Sequence, residues 1–482
     1  MQIKEITILE LSIIKIALLK LESSGLGILF VTNNENKLLG VVTDGDIRRA
    51  LINGASLDSP IKEIMNKNYV SLHVDVDNIK ILQCINEKIK IIPLIDSEGS
   101  LIDYSSINKI RKISVASPLL DGNELAYVTD CINTNWISSQ GKYVTKFEDL
   151  FTEYHDKRRS LAVSNGTVAL HLALVALGIG EGDEVLVPDL TFAASVNAII
   201  YTGAKPVLVD VEQDTWNIDI TKASKYISDK TKAIMPVHLY GHPCDMDTIC
   251  KFAFKFNLKI IEDCAEALGS LYKGRPVGVF GDVATFSFYG NKTITTGEGG
   301  MVVFKDANIA EFASVMRDHG MDKSRRYWHS FVGYNYRLTN IQAAIGVAQF
   351  ERLSEFVEAK RKIASIYNKC LKPINYFTIP TERNDCFNSY WLYTFLVKDE
   401  APFKRDDLIQ HLSLCGVESR PVFFPMHEMP PYMNYGDSIN LKMSKLVSTQ
   451  GMSLPSSVIL SEIELEHICN SILSFCNKYL KS

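Results

Sequence analysis

A single lysine lies in a glycine-rich turn within Ser287-Phe-Tyr-Gly-Asn-Lys292-Thr-Ile-Thr-Thr-Gly297-Glu-Gly-Gly300, directly after an apolar, strand-like run at residues 283–288. Burial or a neighbouring cation lowers the pKa of a lysine amine, which then forms a Schiff base with a carbonyl. The glycines that follow let the backbone approach a bound group. The pattern favours a lysine that bonds covalently to a ligand. A solvated loop lysine is the alternative.

Two upstream turns offer sites for a phosphate and a ring. Leu161-Ala-Val-Ser-Asn-Gly166-Thr167 predicts a strand and a small-residue turn before an apolar helix. The free N–H groups at a helix start favour a dianion, although many α/β folds have such turns without a ligand. Phe192 follows the strand predicted at residues 183–188. It therefore lies where ligands bind in open α/β sheets, and either stacks on a flat ring or packs in the core.

A third strand, predicted at residues 258–263, ends in a carboxylate, Asp263. An acid at the end of a buried strand is costly without a partner, and a protonated pyridine nitrogen is one. Capping of the next helix is the alternative. A lysine, an acid, a helix start and an aromatic ring together predict pyridoxal phosphate binding. The strand–helix alternation over residues 161–303 predicts an α/β fold with a mostly parallel sheet.

Composition narrows the class of protein. The 482 residues are too many for one core, so we expect about two to four domains. A net charge of −5 gives no reason to expect nucleic-acid binding. Ten scattered cysteines without a CxxC pair argue against structural zinc and disulfides and favour a cytoplasmic protein. Charged residues interrupt the apolar N-terminus, so we expect no signal peptide or membrane span.

One short segment of the sequence contains three potential metal ligands. His238, His242 and Cys244 lie close together in the sequence, but Gly241 and Pro243 break the ligand spacing and no second cluster completes the set. We therefore expect no metal site.

The first hundred residues predict a tandem of two helix–strand–strand–helix units. In the first unit we expect a helix at residues 7–21 and strands at 25–32 and 38–43. A weaker copy follows, with a helix at residues 76–89 and a strand at 91–95. The tandem is an α+β arrangement that precedes the parallel sheet.

This tandem resembles a pair of CBS domains, through Leu39-Gly-Val-Val-Thr-Asp-Gly-Asp-Ile-Arg-Arg49. The resemblance implies that Thr43 and Asp46 hold the ribose of a purine nucleotide. The second unit departs from the pattern, with Asp103 and Ser106 at the corresponding positions. The pair is then a nucleotide sensor for the enzyme behind it, or a packing and oligomerisation module that binds nothing.

The remainder of the chain resembles the sugar aminotransferases of the DegT/DnrJ/EryC1/StrS family, which have fold type I of the pyridoxal-phosphate enzymes. The motifs that carry the resemblance are Ser164-Asn-Gly-Thr-Val-Ala-Leu-His171, Pro236-Val-His-Leu-Tyr-Gly241, Glu262-Asp-Cys-Ala-Glu-Ala267, Thr293-Ile-Thr-Thr-Gly-Glu-Gly-Gly300 and Gly333-Tyr-Asn-Tyr-Arg-Leu-Thr-Asn340. With the linker near residue 113, this implies a CBS-like pair at 1–112, a large aminotransferase domain at 113–360 and a small C-terminal domain at 361–482. In the last third of the chain, the pattern predicts a long helix at residues 341–371, strands at 388–397 and from 417, and a closing helix at 461–479 with Ser461 as its N-cap and Glu464 three residues on.

The family resemblance also implies roles at the cofactor ring. Lys292 forms the covalent bond to pyridoxal phosphate, and Asp263 pairs with the pyridine nitrogen. Phe192 stacks on the ring, and Glu266 lies near its hydroxyl side. One branch of the family has histidine in place of the lysine and deoxygenates sugars, and Lys292 argues against that branch.

The phosphate of the cofactor has its own expected partners. By the same resemblance, Gly166, Thr167 and Ser287 hold this phosphate. Asn335 occupies the family position that reaches the phosphate of the neighbouring subunit, so the resemblance implies a homodimer with shared active sites.

Five residues are candidates for substrate contact: Trp136, Ser138, His329, Arg420 and His427. The loop with Trp136 and Ser138 either contacts substrate or packs a dimer. Arg420 and His427 face the active-site cleft in relatives. A surface ion pair and a capping histidine are their structural alternatives.

The implied reaction has two halves, with L-glutamate as amino donor, 2-oxoglutarate as its product, and a keto-sugar nucleotide as acceptor. Lys292 moves the proton as general acid–base. Within the family, the closest likeness is to the branch that converts GDP-4-keto-6-deoxy-mannose to GDP-perosamine for surface polysaccharide. UDP- or dTDP-4-keto-6-deoxy sugars are the alternative substrates. A non-catalytic, nucleotide-responsive regulator is the alternative from a different class.

Overall fold

The computed structural model describes residues 3–76, 78–86, 89–106, 109, 112–436 and 440–480. The chain forms two compact units. The first contains Met1–Ile113 together with the short segments His411–Val417 and Glu466–Ser471. The second contains the rest of the chain. The domain division expected at residue 360 falls inside a helix at Leu353–Leu371.

The first unit begins with a three-stranded sheet of β1 (Thr7–Leu9), β2 (Ile28–Thr32) and β3 (Leu38–Thr43). Strand β1 is parallel to β2, and β3 is antiparallel to β2. Helix α1 (Ile14–Ser24) follows β1, and α2 (Asp44–Ile52) follows β3. The expected helix at residues 7–21 is wrong at its start, because Thr7–Leu9 pairs with β2 through its backbone.

The second half of this unit repeats that arrangement. Strand β4 (Leu72–His73) is parallel to β5 (Ile91–Ile95), and β6 (Leu101–Ser106) is antiparallel to β5. Helix α3 (Asn78–Cys84) is shorter than expected, and residues 77, 87 and 88 of that expectation lie outside the described residues. Leu101 and Tyr104 of β6 pack into the core of β2 and β3, so the two sheets share one hydrophobic core.

A seven-stranded sheet dominates the second unit, in the order β7-β15-β14-β11-β10-β8-β9. Its strands and the nearby β12–β13 hairpin are β7 (Arg159–Val163), β8 (Glu184–Pro188), β9 (Lys205–Val209), β10 (Thr231–Ile234), β11 (Lys259–Asp263), β12 (Leu271–Tyr272), β13 (Arg275–Pro276), β14 (Val283–Ser287) and β15 (Gly300–Phe304). The five adjacent strands from β9 to β14 are parallel to one another, and β15 runs antiparallel to β14 and β7 on either side of it. The mostly parallel sheet is thus confirmed, and the carboxyl ends of β8, β10, β11 and β14 meet at one edge.

Twelve described helices belong to the remainder of the chain: α4 (Glu124–Asn133), α5 (Lys142–Tyr154), α6 (Gly166–Ala176), α7 (Ala193–Tyr201), α8 (Ile220–Ala223), α9 (Met246–Phe256), α10 (Ala307–Arg317), α11 (Asn340–Glu351), α12 (Leu353–Leu371), α13 (Arg405–Leu414), α14 (Lys442–Gln450) and α15 (Glu462–Leu480). One long helix was expected over residues 341–371. The structure has two, because Arg352 leaves helical geometry at φ −111°. Among the described residues, no helix combines the length and apolarity needed to cross a bilayer.

A smaller sheet has the order β16-β18-β20-β19. The late strands are β16 (Phe377–Thr378), β17 (Cys386–Phe387), β18 (Tyr393–Val397), β19 (Arg420–Pro421) and β20 (Gly451–Leu454). The strand expected at residues 388–397 is wrong in its first half, because residues 388–392 are irregular, with Tyr390 at φ 48° and a bend at 391–392, and the strand begins only at Tyr393. The strand expected from residue 417 is also shorter, since only Arg420–Pro421 pairs with β20.

Candidate active site

Lys292 lies just beyond the end of β14, and its side chain is 13% exposed. Its Nζ is 3.8 Å from Oε1 of Glu266 and 3.8 Å from the ring centroid of Trp391. Burial lowers the pKa of Lys292, and the neighbouring carboxylates of Glu266 and Asp263 oppose that shift. The structure therefore holds a lysine whose amine is easier to deprotonate than an ordinary one, as a nucleophile requires.

Asp263 ends β11, next to β14 in the sheet. Its Oδ2 accepts a 2.8 Å hydrogen bond from the Ser195 hydroxyl, and its Oδ1 accepts one of 3.1 Å from the backbone N–H of Ala265. Burial raises the pKa of Asp263, while these donors and the charge of Lys292 oppose the rise. The carboxylate is thus costly to keep charged, and a cationic partner would stabilise it.

Glu266 is buried on the other side of Lys292. Its Oε2 accepts a 2.9 Å hydrogen bond from the backbone N–H of Tyr240. Burial raises the pKa of Glu266 to about 7, against the opposing charge of Lys292. A carboxyl group whose pKa is raised toward neutrality therefore neighbours the lysine amine, with 3.8 Å between Oε1 and Nζ.

The start of helix α6 and the end of β14 form a narrow cradle. Asn165 caps α6 by accepting a hydrogen bond from the N–H of Val168. A Cβ atom at Gly166 would lie 2.8 Å from Cβ of Ser287, so glycine is required for this close approach. The first N–H groups of a helix have no partner within it, and Thr167 lies in the same turn. The cradle fits a phosphate group.

Phe192 is the N-cap residue of α7 and is 59% exposed. Its ring centroid is 5.8 Å from that of Phe423. Three residues later in α7, Ser195 bonds to Asp263. An open aromatic face, a costly buried carboxylate, a lysine and an anion cradle therefore occur in neighbouring elements, and these residues fit pyridoxal phosphate.

The loop with Trp136 and Ser138 is exposed and is fixed through its backbone. Asn340 donates hydrogen bonds to both carbonyl groups, from Nδ2 to Trp136 at 2.7 Å and from its backbone N–H to Ser138 at 2.8 Å. The Trp136 side chain itself is 56% exposed. The indole is therefore available for a partner.

Two other candidates lie on an exposed segment before α11. His329 has Nδ1 2.9 Å from the carbonyl oxygen of His319. Asn335 is exposed, and its Oδ1 accepts a 3.2 Å hydrogen bond from Nε of Arg337. Their contacts are local, and their assigned roles remain predictions.

Arg420 and His427 differ from each other in their surroundings. Arg420 is exposed and its guanidinium lies 2.9 Å from Oε1 of Glu418, which is the surface ion pair named as an alternative. His427 is buried, with Nδ1 2.8 Å from Oδ2 of Asp189. Asp189 also accepts a hydrogen bond from the His427 backbone N–H. This pair ties the loop after β19 to the end of β8.

The structure groups His238 with Glu262 and Cys264 as potential metal ligands, while Nδ1 of His242 lies 2.8 Å from the carbonyl oxygen of Pro243. His238 accepts a hydrogen bond at Nδ1 from the N–H of Cys244, and its Nε2 lies 3.3 Å from Glu262. Glu262 and Cys264 place ligand atoms within 4.8 Å of one another and of His238. However, Glu262 also accepts three backbone hydrogen bonds, from residues 278, 280 and 281. The cluster therefore anchors the loop before β14.

The first unit has a cavity of about 270 Å³ lined by residues that include Thr43, Asp46, Tyr69 and Lys90. The Thr43 hydroxyl is 2.7 Å from Oδ2 of Asp46. The two residues also form a capping box, in which each side chain accepts a hydrogen bond from the other's backbone N–H. The same pair thus starts helix α2 and faces the cavity.

Two residues of the active-site cluster were missed in the sequence. Ser195 follows Phe192 by three residues. Its spacing of four from Thr191 at a helix start was the available signal, because this spacing brings the two hydroxyls to 2.8 Å of each other. Trp391 carried no such signal, since it lies about one hundred residues from Lys292 in the sequence.

Comparison with known proteins identifies relatives of this chain. It is 48% identical over 366 residues to GDP-perosamine synthase of Escherichia coli O157:H7, covering 76% of this chain and 99% of that protein. It is 47% identical over 363 residues to GDP-perosamine synthase of Caulobacter vibrioides, covering 75% and 98%. The structure of a putative sugar aminotransferase from Streptococcus pneumoniae, in its PLP form, matches with a TM-score of 0.72 at 28% identity, covering 76% and 99%.

Two sequence families account for most of the chain. Residues 3–53 match the CBS domain. Residues 118–473 match the DegT/DnrJ/EryC1/StrS aminotransferase family. The aminotransferase match spans well over half of the chain and includes Lys292, Asp263 and the α6 cradle. The chain therefore belongs to the DegT/DnrJ/EryC1/StrS aminotransferase family.

Proposed function

We propose that this pyridoxal-phosphate-dependent aminotransferase transfers the amino group of L-glutamate to C4 of GDP-4-keto-6-deoxy-mannose and produces GDP-perosamine. The observation that carries the proposal is the buried amine of Lys292, held 3.8 Å from Glu266 at the end of a strand that neighbours Asp263. The choice of sugar nucleotide rests on the similarity to the two GDP-perosamine synthases. The product would serve the synthesis of a surface polysaccharide.

Different residues of the chain have different roles in the reaction. When bound, pyridoxal phosphate supplies an electron sink for the carbanion that forms at the donor carbon. Asp263 would favour a proton on the ring nitrogen, because a charged carboxylate in a buried site favours a cationic partner. The hydrogen bonds from Ser195 and from the N–H of Ala265 favour the charged form of that carboxylate and fix its orientation. Asp263 is therefore assigned to charge stabilisation.

Lys292 is assigned to covalent attachment and proton transfer. When its amine is free, it would take the proton from the α-carbon of glutamate in the first half of the reaction and deliver a proton to C4 of the sugar in the second half. Glu266 lies 3.8 Å away with a pKa near 7 and is placed to exchange a proton with that amine. The lysine can thus be neutral when it accepts a proton and charged when it donates one.

Binding is assigned to the surrounding elements. Gly166, Thr167 and Ser287 would hold the phosphate at the α6 start, and Phe192 would cover the ring. Asn335 is proposed to reach the phosphate of a neighbouring subunit, so that the working form is a homodimer. Its position on an exposed segment agrees with such a contact.

Further roles are proposed for the substrate and for the first unit. Trp136, Ser138, His329, Arg420 and His427 are proposed to contact the sugar nucleotide. Thr43 and Asp46 are proposed to bind the ribose of a purine nucleotide, because they line a cavity of about 270 Å³. A nucleotide bound there would adjust the activity of the aminotransferase.

The test is a substrate panel. Purified full-length protein is incubated with glutamate and each of the GDP-, UDP- and dTDP-4-keto-6-deoxy-hexoses, and mass spectrometry detects the amino sugar while a coupled assay measures 2-oxoglutarate. We expect product from the GDP sugar and none from the Lys292→Ala variant. Product from only a UDP or dTDP sugar would overturn the substrate. Turnover by Lys292→Ala would overturn the assignment of the lysine.

A further inference from the structure

Trp391 lies directly against the amine of Lys292. The Nζ atom is 3.8 Å from the centroid of the indole ring, within the range in which a cation is attracted to the face of an aromatic ring. The tryptophan is only 4% exposed, so water does not screen this attraction. Lys292 therefore has two partners, the carboxylate of Glu266 and the face of the indole.

The same tryptophan also holds the backbone that carries Lys292. Its Nε1 donates a 2.7 Å hydrogen bond to the carbonyl oxygen of Asn291, the residue before the lysine. Its own carbonyl oxygen accepts a 3.0 Å hydrogen bond from Nζ of Lys360, a lysine that is 4% exposed. A second bond fixes Lys360 to the carbonyl of Ser456 at 2.8 Å. Ring and backbone of Trp391 are thus both restrained.

The segment before Trp391 packs closely against Gly241 and Ser270, which lie in loops of the large-sheet region. Gly241 has φ +97°, and a Cβ atom there would lie 2.7 Å from Oδ1 of Asn388 and 2.8 Å from the N–H nitrogen of Tyr390. The Ser270 hydroxyl bonds both sides of this junction, at 2.6 Å to the Gly241 carbonyl and 2.8 Å to the Ser389 hydroxyl. The position of the indole is therefore set by packing on several sides.

An aromatic column extends from this indole to Phe192. Tyr240 stacks on Trp391 with centroids 6.1 Å apart and planes 9° from parallel. Phe423 stacks on Tyr240 at 5.6 Å and 19°, and Phe192 lies 5.8 Å beyond. The backbone of Tyr240 also donates to Glu266. The support of the lysine and the exposed ring proposed to cover the cofactor are thus parts of one packed unit.

From these contacts we propose that Trp391 is a positioning residue for Lys292. Its ring face stabilises the protonated amine beside Glu266, and its N–H fixes the turn that carries the lysine. The amine then stays at the site during the part of the reaction in which it is not bonded covalently. The inference rests on the proposed function only for the role of Lys292, and the contact itself can be measured without turnover.

The experiment measures the ionisation of Lys292 in the full-length, cofactor-free protein. Competitive acetylation at a series of pH values, followed by mass spectrometry of the peptide with Lys292, gives the midpoint for its amine. Trp391→Leu removes the ring, so the protonated amine loses a favourable contact and the midpoint falls. We expect a downward shift of about half a pH unit or more. Trp216→Leu is the matched control, because Trp216 is also buried and contacts Tyr240.

Fluorinated tryptophan provides a test that preserves shape. Fluorine withdraws charge from the ring face but leaves the N–H donor, so stepwise fluorination lowers the midpoint in steps. The chain has four tryptophans, and the Trp391→Phe variant grown with the same analogues shows whether the other three contribute. An unchanged midpoint on fluorination, or an equal fall in Trp216→Leu, would overturn the proposal. The substrate panel is unaffected by either result, so the two proposals fail separately.

Discussion

The Ser195 hydroxyl donates a 2.8 Å hydrogen bond to Oδ2 of Asp263, and its own oxygen lies 2.8 Å from the Thr191 hydroxyl. A serine or threonine hydroxyl can rotate to donate in several directions. Here both side chains are buried, and each hydroxyl has a fixed partner. The bond favours the charged form of Asp263, which burial disfavours. The ionisation of the acid proposed to face the cofactor therefore depends on a residue of helix α7.

Replacing Ser195 tests this dependence. We expect Ser195→Ala to lower kcat/KM by roughly ten- to hundredfold, because a hydrogen bond to a buried charge is lost and the pKa of Asp263 rises further. Steady-state kinetics with the preferred sugar nucleotide would measure it. Ser195→Thr keeps the hydroxyl and should retain most activity. Equal kinetics in Ser195→Ala and the unmodified enzyme would contradict the prediction.

The α6 cradle gives a second prediction. Gly166→Ala places a Cβ 2.8 Å from Cβ of Ser287, so the end of β14 must move and the proposed phosphate site is distorted. We expect cofactor affinity to fall by roughly five- to hundredfold, measured by absorbance titration of the cofactor-free protein. Gly180→Ala is the control, because the nearest atom to its Cβ would be 3.7 Å away. Comparable loss in both variants would point to a general effect of alanine.

A third prediction concerns Glu266 and pH. Burial raises the pKa of Glu266 from 4.5 to about 7 in the folded protein, so the folded state binds more protons than the unfolded state in that window. The free energy of unfolding of the cofactor-free protein should therefore fall as pH rises from about 4.5 to 7, by roughly 3 kcal/mol in total from this group. Below pH 4.5 this contribution is fully present.

The variant Glu266→Gln has no charge to bury and should show a flatter profile. Urea unfolding at several pH values between 4.5 and 8 would compare it with the unmodified protein. Glu298→Gln, at an exposed carboxylate in the turn after Lys292, is the control and should follow the unmodified profile. If Glu266→Gln retains the full slope, the fall has another source.

The capping box of α2 gives a prediction for the first unit. Thr43→Ala removes the N-cap of α2, which costs about 1 kcal/mol, so amide hydrogen exchange in Asp44–Ile52 should accelerate roughly fivefold without any nucleotide. Thr43→Ser keeps the cap and should exchange as the unmodified chain does. If nucleotide protects α2 in Thr43→Ser but not in Thr43→Ala, the ribose role is supported. If the rate of amide hydrogen exchange in α2 is unchanged in Thr43→Ala, the cap does not stabilise this helix.

The candidate site was largely predictable from sequence because its main residues follow strands or begin helices. Lys292, Asp263 and Phe192 each come just after an apolar run, and parallel strands bring their carboxyl ends to one edge. Trp391 could not be found this way. The apolar pattern around it favours a strand, whereas tertiary contacts with Gly241 and Ser270 impose an irregular conformation.

Helix boundaries predicted from apolar spacing were wrong in two places, one where the backbone pairs with a strand and one where a single residue breaks the helix. Apolar residues at 7–21 have helical spacing, but Thr7–Leu9 joins β2, because an available strand edge outweighs weak helix propensity. The break between α11 and α12 has no glycine or proline to mark it. Arg352 leaves helical geometry there while its guanidinium binds Asp121 and Glu355. By contrast, the box formed by Ser461 and Glu464 marks the start of α15 as expected.

The pairing of β11 with β14 places Asp263 opposite Thr285, two residues before Ser287. A shift of either strand by one residue would turn its side chains to the other face of the sheet. Only one alignment then offers the acid, the cradle and the lysine together. Because only this alignment can bind the cofactor, binding would stabilise it over the shifted ones. The cofactor would then hold the strand register in place as well as supply the chemistry.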